Sequence, residues 1–168
     1  TANDVFTKEE TKMAVTRLDK ITGGHLSSVR HAAVLKNGYF VQLGDLVDGE
    51  TELHKVKVPA TVGDLKNEFV LHATPEVMAD PRFAGLKHFQ VEIGDQGRGY
   101  HLVKGDVITL TKDLFESIPT VGEYVIPQIN SMKLAPSAVG TEDVSLVLKV
   151  DRKTTLGFDA DEAYQLRV

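Results

Sequence analysis

The chain contains no cysteine and no tryptophan, and it has no long apolar run. Without cysteine it has neither a disulfide framework nor thiolate metal ligands, which excludes disulfide-stapled scaffolds and cysteine-based zinc sites. No window approaches the roughly 20 apolar residues of a membrane helix, and the N-terminus lacks the charged and apolar regions of a signal peptide. We therefore expect a soluble protein made in a cytoplasm, with no membrane partner.

The chain also lacks an excess of positive charge. Its formal net charge is −5 and its isoelectric point is about 5.7, whereas proteins that neutralise nucleic-acid phosphates carry a surplus of Lys and Arg. A general nucleic-acid partner is therefore not expected. The length of 168 residues is typical of one domain, and Thr1, a small residue of the kind left after removal of an initiator Met, suggests a nearly complete chain.

Short β runs bounded by turn residues dominate the chain after residue 32. Runs such as "YFVQL", "ELHKVKV", "YHLV", "VITLT" and "VSLVLKV" are separated by "KNG", "VDGET", "GDQGRG" and "DRKTT", and this spacing is typical of a sandwich or small barrel. We predict an all-β protein with a single antiparallel β-sandwich or small β-barrel domain over residues 29–168. Residues 1–28 are predicted to form an N-terminal arm and linker, with a short helix as the alternative for 7–20.

One eight-residue pattern occurs twice, as "GYFVQLGD" at 38–45 and as "GYHLVKGD" at 99–106. Because side chains alternate faces along a strand, Tyr39 and Tyr100 would each begin a core-facing stripe. Gly44-Asp45 and Gly105-Asp106 would follow where each strand turns or bulges. The pattern therefore predicts a strand-then-turn unit used twice, with both tyrosines at least half buried.

No phosphate-binding loop is recognisable. The glycines of "GDQGRG", at 94, 97 and 99, do not match a P-loop, and no helical pattern follows them. Arg98 could contact a carboxylate or phosphate of a partner, although an exposed loop arginine is the simpler interpretation. We expect "GDQGRG" to be a turn.

Catalytic and metal-binding patterns are equally sparse. No serine lies in a nucleophile elbow, and His88 and Glu92, four residues apart, lie in a strand-like stretch. Asp159, Asp161 and Glu162 resemble part of a calcium loop but do not complete it, so an acidic, solvent-facing turn is the better interpretation. We therefore predict no catalytic residues, no cofactor-binding residues, no metal ligands and no cofactor. The six histidines show no compact ligand spacing; they are His25, His31, His54, His72, His88 and His101.

The order of the sequence motifs in residues 31–112 resembles that of small head proteins of tailed bacteriophages, of the capsid decoration or auxiliary kind. The resemblance rests on "VLKNGYFVQLGDLVDGETELHKVKVPA", then "EFVLHATPEVMADPR", then "GRGYHLVKGDVITLT". It implies a non-enzymatic virion protein, assembled in a host cytoplasm, that binds the outer surface of a phage capsid. The implied partner is the major capsid protein, and a homo-oligomer is expected.

Two other classes remain open. A β-rich module that binds a ligand or a host surface would need an exposed aromatic cluster, for which the chain offers four tyrosines and seven phenylalanines. An enzyme on a β scaffold would need acid, base or metal groups that converge in space, and spacing alone does not exclude this because strands bring distant residues together.

Overall fold

The structure is a computed structural model, and it describes residues 16–22, 25–74, 90–137, 144–156 and 161–168. Strands account for most of the regular structure of these residues, together with two short 3-10 turns, Val62–Lys66 and Lys112–Leu114. The strands are β1 (Thr16–Lys20), β2 (Leu26–Arg30), β3 (Leu35–Lys36), β4 (Phe40–Leu46), β5 (Leu53–Lys57), β6 (Phe69–His72), β7 (Gln90–Val91), β8 (Gln96–Tyr100), β9 (Val107–Thr111), β10 (Tyr124–Pro127), β11 (Leu134–Ser137), β12 (Leu148–Leu156) and β13 (Asp161–Arg167).

These strands form a closed barrel and a larger open sheet. The barrel has the order β2-β5-β4-β6-β8, and it closes because β8 pairs with β2. The open sheet has the order β1-β9-β13-β12-β10-β11, while β3 and β7 form a separate short pair. Of the barrel ladders only β2 with β5 is parallel. The prediction of an all-β, mostly antiparallel fold is confirmed.

Strand β4 shows how the two layers are joined. Its neighbouring residues Phe40 and Val41 are both buried, but Phe40 packs in the cluster that contains residues of the open sheet, whereas Val41 packs in the barrel interior. Alternation along the strand places one on each face. The shared core between the layers therefore includes Phe40, Phe69 and Leu71 from the barrel, with Ile108, Leu110, Val150, Tyr164 and Leu166 from the open sheet.

The described part of the N-terminal lead-in belongs to both layers. Thr16–Lys20, expected as part of a short helix or arm, is instead the edge strand β1, paired with β9. Residues 26–28 of the predicted linker lie in β2 of the barrel, so the predicted boundary at residue 28 falls inside that strand. The local polar composition suggested a linker, but pairing with distant strands determined the structure. Residues 1–15 and the Gly23-Gly24 pair lie outside the described residues.

Strand β8 runs through glycines that were predicted to form a turn. The predicted strand "YHLV" is wrong, since of its residues only Tyr100 lies in a strand. Gly97 and Gly99 are buried within β8, where a Cβ on Gly97 would lie 2.7 Å from Nε2 of His72. A Cβ on Gly99 would lie 3.0 Å from a methyl carbon of Val70. These glycines therefore allow close packing in a strand.

The two tyrosines of the repeated pattern do not occupy corresponding strand positions. Tyr39 immediately precedes β4, whereas Tyr100 is the last residue of β8. The idea of one strand-then-turn unit used twice is therefore wrong, because the second copy ends a strand where the first begins one. Both tyrosines are only partly exposed and pack against the core, as predicted.

The two Gly-Asp pairs lie in a bulge and a turn, as predicted. Gly44-Asp45 lies where the β4–β5 register shifts between Leu43 and Leu46. Gly105 has a φ of +98° in the turn before β9, a conformation that favours glycine. Asp45 is exposed while Asp106 is completely buried, so the second residue of the pair has a different role in each copy.

Candidate functional site

One end of the barrel collects polar side chains from three segments. Val29 of β2 lies in the barrel core, so Ser27, two residues earlier, faces inward as well. Gly97 and Gly99 face inward from β8. His101, two residues after Gly99, lies on the same side of the chain and is buried. Glu68 precedes β6 and lies two residues before the inward-facing Val70. We call Ser27, His101, Glu68 and the adjoining His25 the barrel-end cluster.

The barrel-end cluster forms a chain of hydrogen bonds through one imidazole. Nε2 of His101 lies 2.6 Å from Oγ of Ser27, and Nδ1 of His101 lies 2.5 Å from Oε1 of Glu68. His25 stacks on His101, with ring centroids 3.8 Å apart and planes within 9° of parallel. The backbone amide of His101 also donates to the carbonyl of His25 over 3.1 Å. The His101 ring is thus oriented by contacts at both nitrogens and on one face.

The direction of these hydrogen bonds follows from the carboxylate. An ionised Glu68 can only accept, so Nδ1 of His101 donates to it. When the His101 imidazole is neutral, Nε2 is its acceptor and accepts the hydroxyl proton of Ser27. Oγ of Ser27 therefore points its proton at a base whose tautomer is set by a carboxylate. The side chain of His101 is 7% exposed and that of Glu68 is 69% exposed, so the cluster reaches from the barrel interior to solvent.

A second histidine, His72, is enclosed deeper in the barrel. Its Nδ1 donates to the carbonyl of Lys36 over 2.9 Å, and its Nε2 lies 2.9 Å from Oγ1 of Thr74. The Thr74 hydroxyl also accepts the amide of Arg98, so it donates its own proton to Nε2. Burial lowers the pKa of His72, although the bond to the Lys36 carbonyl acts in the opposite direction. His72 is a neutral structural residue with both nitrogens occupied.

The two other described histidines, His31 and His54, lie apart from these two groups. Nδ1 of His54 lies 3.1 Å from the carbonyl of Gly44, and partial burial lowers the pKa of His31. His88 lies outside the described residues, so the spacing of His88 and Glu92 remains a sequence observation. Within the described ranges, no group of three or more His, Asp or Glu side chains is arranged to hold a metal ion.

The acidic residues near the C-terminus lie partly in a strand. Asp161 and Glu162 begin β13, paired with β12, and the Glu162 carboxylate forms an ion pair with Lys153 across that ladder. The expectation of a solvent-facing acidic turn is therefore wrong for these two residues, because they pair with β12. Asp159 lies outside the described residues.

A shallow pocket of about 410 Å³ lies beside β2 and β8. Ser27 is among the residues that line it, together with Leu26, Ser28 and Arg98, whose side chains alternation places on the outer face of the barrel. Arg98 was predicted on a loop but lies in strand β8, where it is exposed. The pocket and the barrel-end cluster therefore share one residue, Ser27.

One loop of the open sheet displays apolar side chains. Ile118 and Val121 are 64% and 50% exposed, while Pro119 between them is buried. The amide of Gly122 donates to the carbonyl of Val150 over 2.8 Å and ties the end of the loop to β12. We call residues 116–122 the apolar loop. It presents two apolar side chains from an anchored backbone.

The described residues include no helix that is long and apolar enough to cross a membrane. Comparisons with protein families, with curated proteins and with solved structures found no match. The geometry of the chain itself is therefore the basis for any proposal about its function.

Sequence reasoning missed the barrel-end cluster. Ser27 and His101 are separated by 74 positions, and His101 and Glu68 by 33. Ser27 does not lie in a nucleophile elbow, and no spacing links it to a base. These side chains come together only because β2 and β8 close the barrel, and the prediction of an arm and linker over residues 1–28 did not include a strand there.

Proposed function

We propose that this chain is a virion structural protein that binds the outer surface of a phage capsid as a decoration or cement protein. The observation that supports the proposal is the order of the sequence motifs over residues 31–112. In the structure two of these motifs form parts of the fold. The motif "GYFVQLGD" supplies a barrel strand with a bulge, and "GYHLVKGD" supplies a strand end with a turn. A surface-binding role of this kind needs no catalytic centre.

The position of β1 supports a contact through the N-terminus. Strand β1 is one edge of the open sheet, and residues 1–15 directly precede it in the sequence. An extended segment can add a strand to a neighbouring sheet and so contribute backbone hydrogen bonds. The proposed arm is therefore residues 1–15, shorter than the stretch of 28 residues predicted from the sequence.

The apolar loop is the proposed contact of the domain itself. Ile118 and Val121 expose apolar surface that a capsid protein could cover, and the anchored backbone reduces the entropy lost on binding. The major capsid protein is the proposed partner, and the shell is the proposed location after assembly in a host cytoplasm. Self-association into a homo-oligomer would multiply weak contacts through avidity.

Cosedimentation with capsids tests this proposal. Purified full-length chain should pellet with heads of the source phage from which the chain has been stripped, and a 1–15 deletion should pellet poorly. The deletion keeps β1, so its thermal unfolding should match that of the full chain. Full binding by the deletion variant would refute the role of residues 1–15, and failure of the full chain to bind would refute the capsid role.

The pocket beside β2 and β8 favours a second function, a β module that binds a ligand or a host surface. Arg98 and the hydroxyl of Ser28 could bind a small polar or anionic group. Screening the chain against glycans and small carboxylates, with Arg98→Gln as the comparison, tests this alternative. Binding that depends on Arg98, without binding to capsids, would favour it.

A further inference from the structure

We infer that Ser27 is an activated nucleophile that accepts an acyl group from small activated esters, with His101 as its base and Glu68 as the residue that positions the base. Nucleophilic serines share one arrangement on unrelated folds: the hydroxyl bonds an imidazole whose other nitrogen bonds a carboxylate. Ser27, His101 and Glu68 have this arrangement, with contacts of 2.6 Å and 2.5 Å. The inference is independent of the proposed capsid role.

The chemical step uses only groups in the barrel-end cluster. Oγ of Ser27 attacks the carbonyl carbon of the ester, and its proton passes to Nε2 of His101. The bond from the carbonyl carbon to the leaving oxygen breaks, and the leaving group takes the electron pair. His101 then returns its proton to the leaving group or to solvent, which leaves an acyl ester on Ser27 and a neutral imidazole. Glu68 stabilises the transient imidazolium through Nδ1.

The backbone around Ser27 predicts that the acyl group is removed slowly. The amide of His101 donates to the carbonyl of His25, so the His25–His101 pair is hydrogen-bonded. Pairs alternate along an antiparallel ladder, and Ser27 with Gly99 is therefore the next hydrogen-bonded pair. The amide of Ser27 is thus committed to the ladder and cannot stabilise an oxyanion. We expect about one acylation per chain with little turnover.

Access to Ser27 is expected from the barrel end. Glu68 and His25 are exposed there, and Ser27 also belongs to the lining of the pocket beside β2 and β8. The space is restricted because His25 covers one face of His101. Small acyl donors such as aryl acetates, and small phosphonyl fluorides, are therefore the expected reactants.

Two probes test the inference on the full chain. A fluorophosphonate should label Ser27, with a phosphorus–oxygen bond formed and fluoride expelled, and peptide mass spectrometry should locate the label. Incubation with p-nitrophenyl acetate should release a burst of about one equivalent of p-nitrophenolate. Absence of labelling above that of the heat-denatured chain, or a label on other residues alone, would overturn the inference.

Variants separate activation from simple exposure of a serine. Ser27→Ala should abolish the label, while Ser28→Ala, which changes the next serine on the opposite face, should retain it. His101→Gln should slow labelling by roughly 100-fold, with thermal unfolding measured to confirm that the variant is folded. Labelling of a folded His101→Gln variant at the full rate would show that His101 is not the base.

Glu68 offers a test that does not depend on a buried substitution, because its side chain is 69% exposed. Glu68→Gln should slow labelling roughly 10-fold, and Glu68→Asp, which keeps a carboxylate, should recover part of that loss. A merely structural carboxylate would change the melting temperature without this rate difference. Equal labelling rates for Glu68→Gln and the unsubstituted chain would refute the positioning role.

Discussion

At the scale of single residues, the absence of a side chain at Gly97 determines how the barrel closes. Its α-carbon faces His72, which is completely buried and hydrogen-bonded at both nitrogens. The sequence predicted a turn for "GDQGRG", and it could not show that two of its glycines lie in strand β8 and make room for side chains 25 to 29 residues earlier. Close packing of this kind depends on strand register, which a local pattern does not contain.

Gly97→Ala should lower the free energy of unfolding by about 1–3 kcal/mol. The new methyl would lie 2.7 Å from Nε2 of His72, so either the ring or β8 must move. Gly63→Ala is the control, because its nearest contact would be 3.8 Å away, and it should change the free energy by less than about 0.5 kcal/mol. Equal effects in urea unfolding would contradict the packing described at Gly97.

His72 should also make stability depend on pH. Its pKa in the folded chain is lowered from the ordinary value of 6.5, so below pH 6.5 the unfolded chain binds more protons than the folded one. The free energy of unfolding should therefore carry the full contribution of neutral His72 above pH 6.5, and it should fall as the pH drops toward the lowered pKa.

Urea unfolding between about pH 7.5 and about pH 5 tests this dependence. The difference between the unsubstituted chain and His72→Gln isolates His72, because His31, whose pKa is also lowered, is present in both. Identical pH slopes for the two proteins would contradict the assignment of His72 as a buried neutral base.

At the scale of elements, the two Gly-Asp pairs of the repeated pattern have different structural roles. Asp106 accepts the amide and hydroxyl of Thr22 over 3.1 and 2.8 Å and the amide of Val103 over 2.9 Å. Burial alone would raise the pKa of Asp106, but these hydrogen bonds outweigh it and lower the pKa. Asp106 thereby fixes the segment after β1 against the turn before β9. Asp45 lies exposed in the β4 bulge. The sequence predicted a turn or bulge for both, but not which carboxylate would be buried.

Asp106→Ala and Asp45→Ala form a matched pair. Asp106→Ala leaves the amide and hydroxyl of Thr22 and the amide of Val103 without their acceptor, and it should lower the free energy of unfolding by about 1–3 kcal/mol. Asp45→Ala should change it by less than about 0.5 kcal/mol. Similar losses in chemical unfolding would mean that the Asp106 contacts do not hold β1 to the domain.

At the scale of the whole molecule, fold class was predictable and layer arrangement was not. Period-two alternation and turn punctuation indicated strands such as β5, β9 and β12. They could not show that β2 joins the parallel strand β5 and closes a barrel, since that depends on pairing between distant segments. The barrel-end cluster depends on the same closure, and for that reason the sequence did not indicate that its members form a site.

The apolar loop allows a prediction about the whole particle. Ile118→Ser with Val121→Ser should weaken capsid binding about 10-fold or more, because the loop would lose its exposed apolar surface. Val62→Ser removes a similarly exposed side chain from a different element and is the control. In cosedimentation the double variant should bind capsids more weakly than Val62→Ser. The thermal unfolding of both variants should stay close to that of the unsubstituted chain. Equal binding by both would exclude the loop as the contact.

Quantitative mass spectrometry of purified virions from the source tests the capsid role most directly. The measured quantity is the number of copies of this chain relative to the major capsid protein. A decoration protein should be present in many copies at a fixed simple ratio, because it follows the symmetry of the shell. We predict such a ratio, unchanged after nuclease treatment and repeated gradient purification. Absence of the chain from intact particles, or a variable trace amount that washes away, would contradict the account.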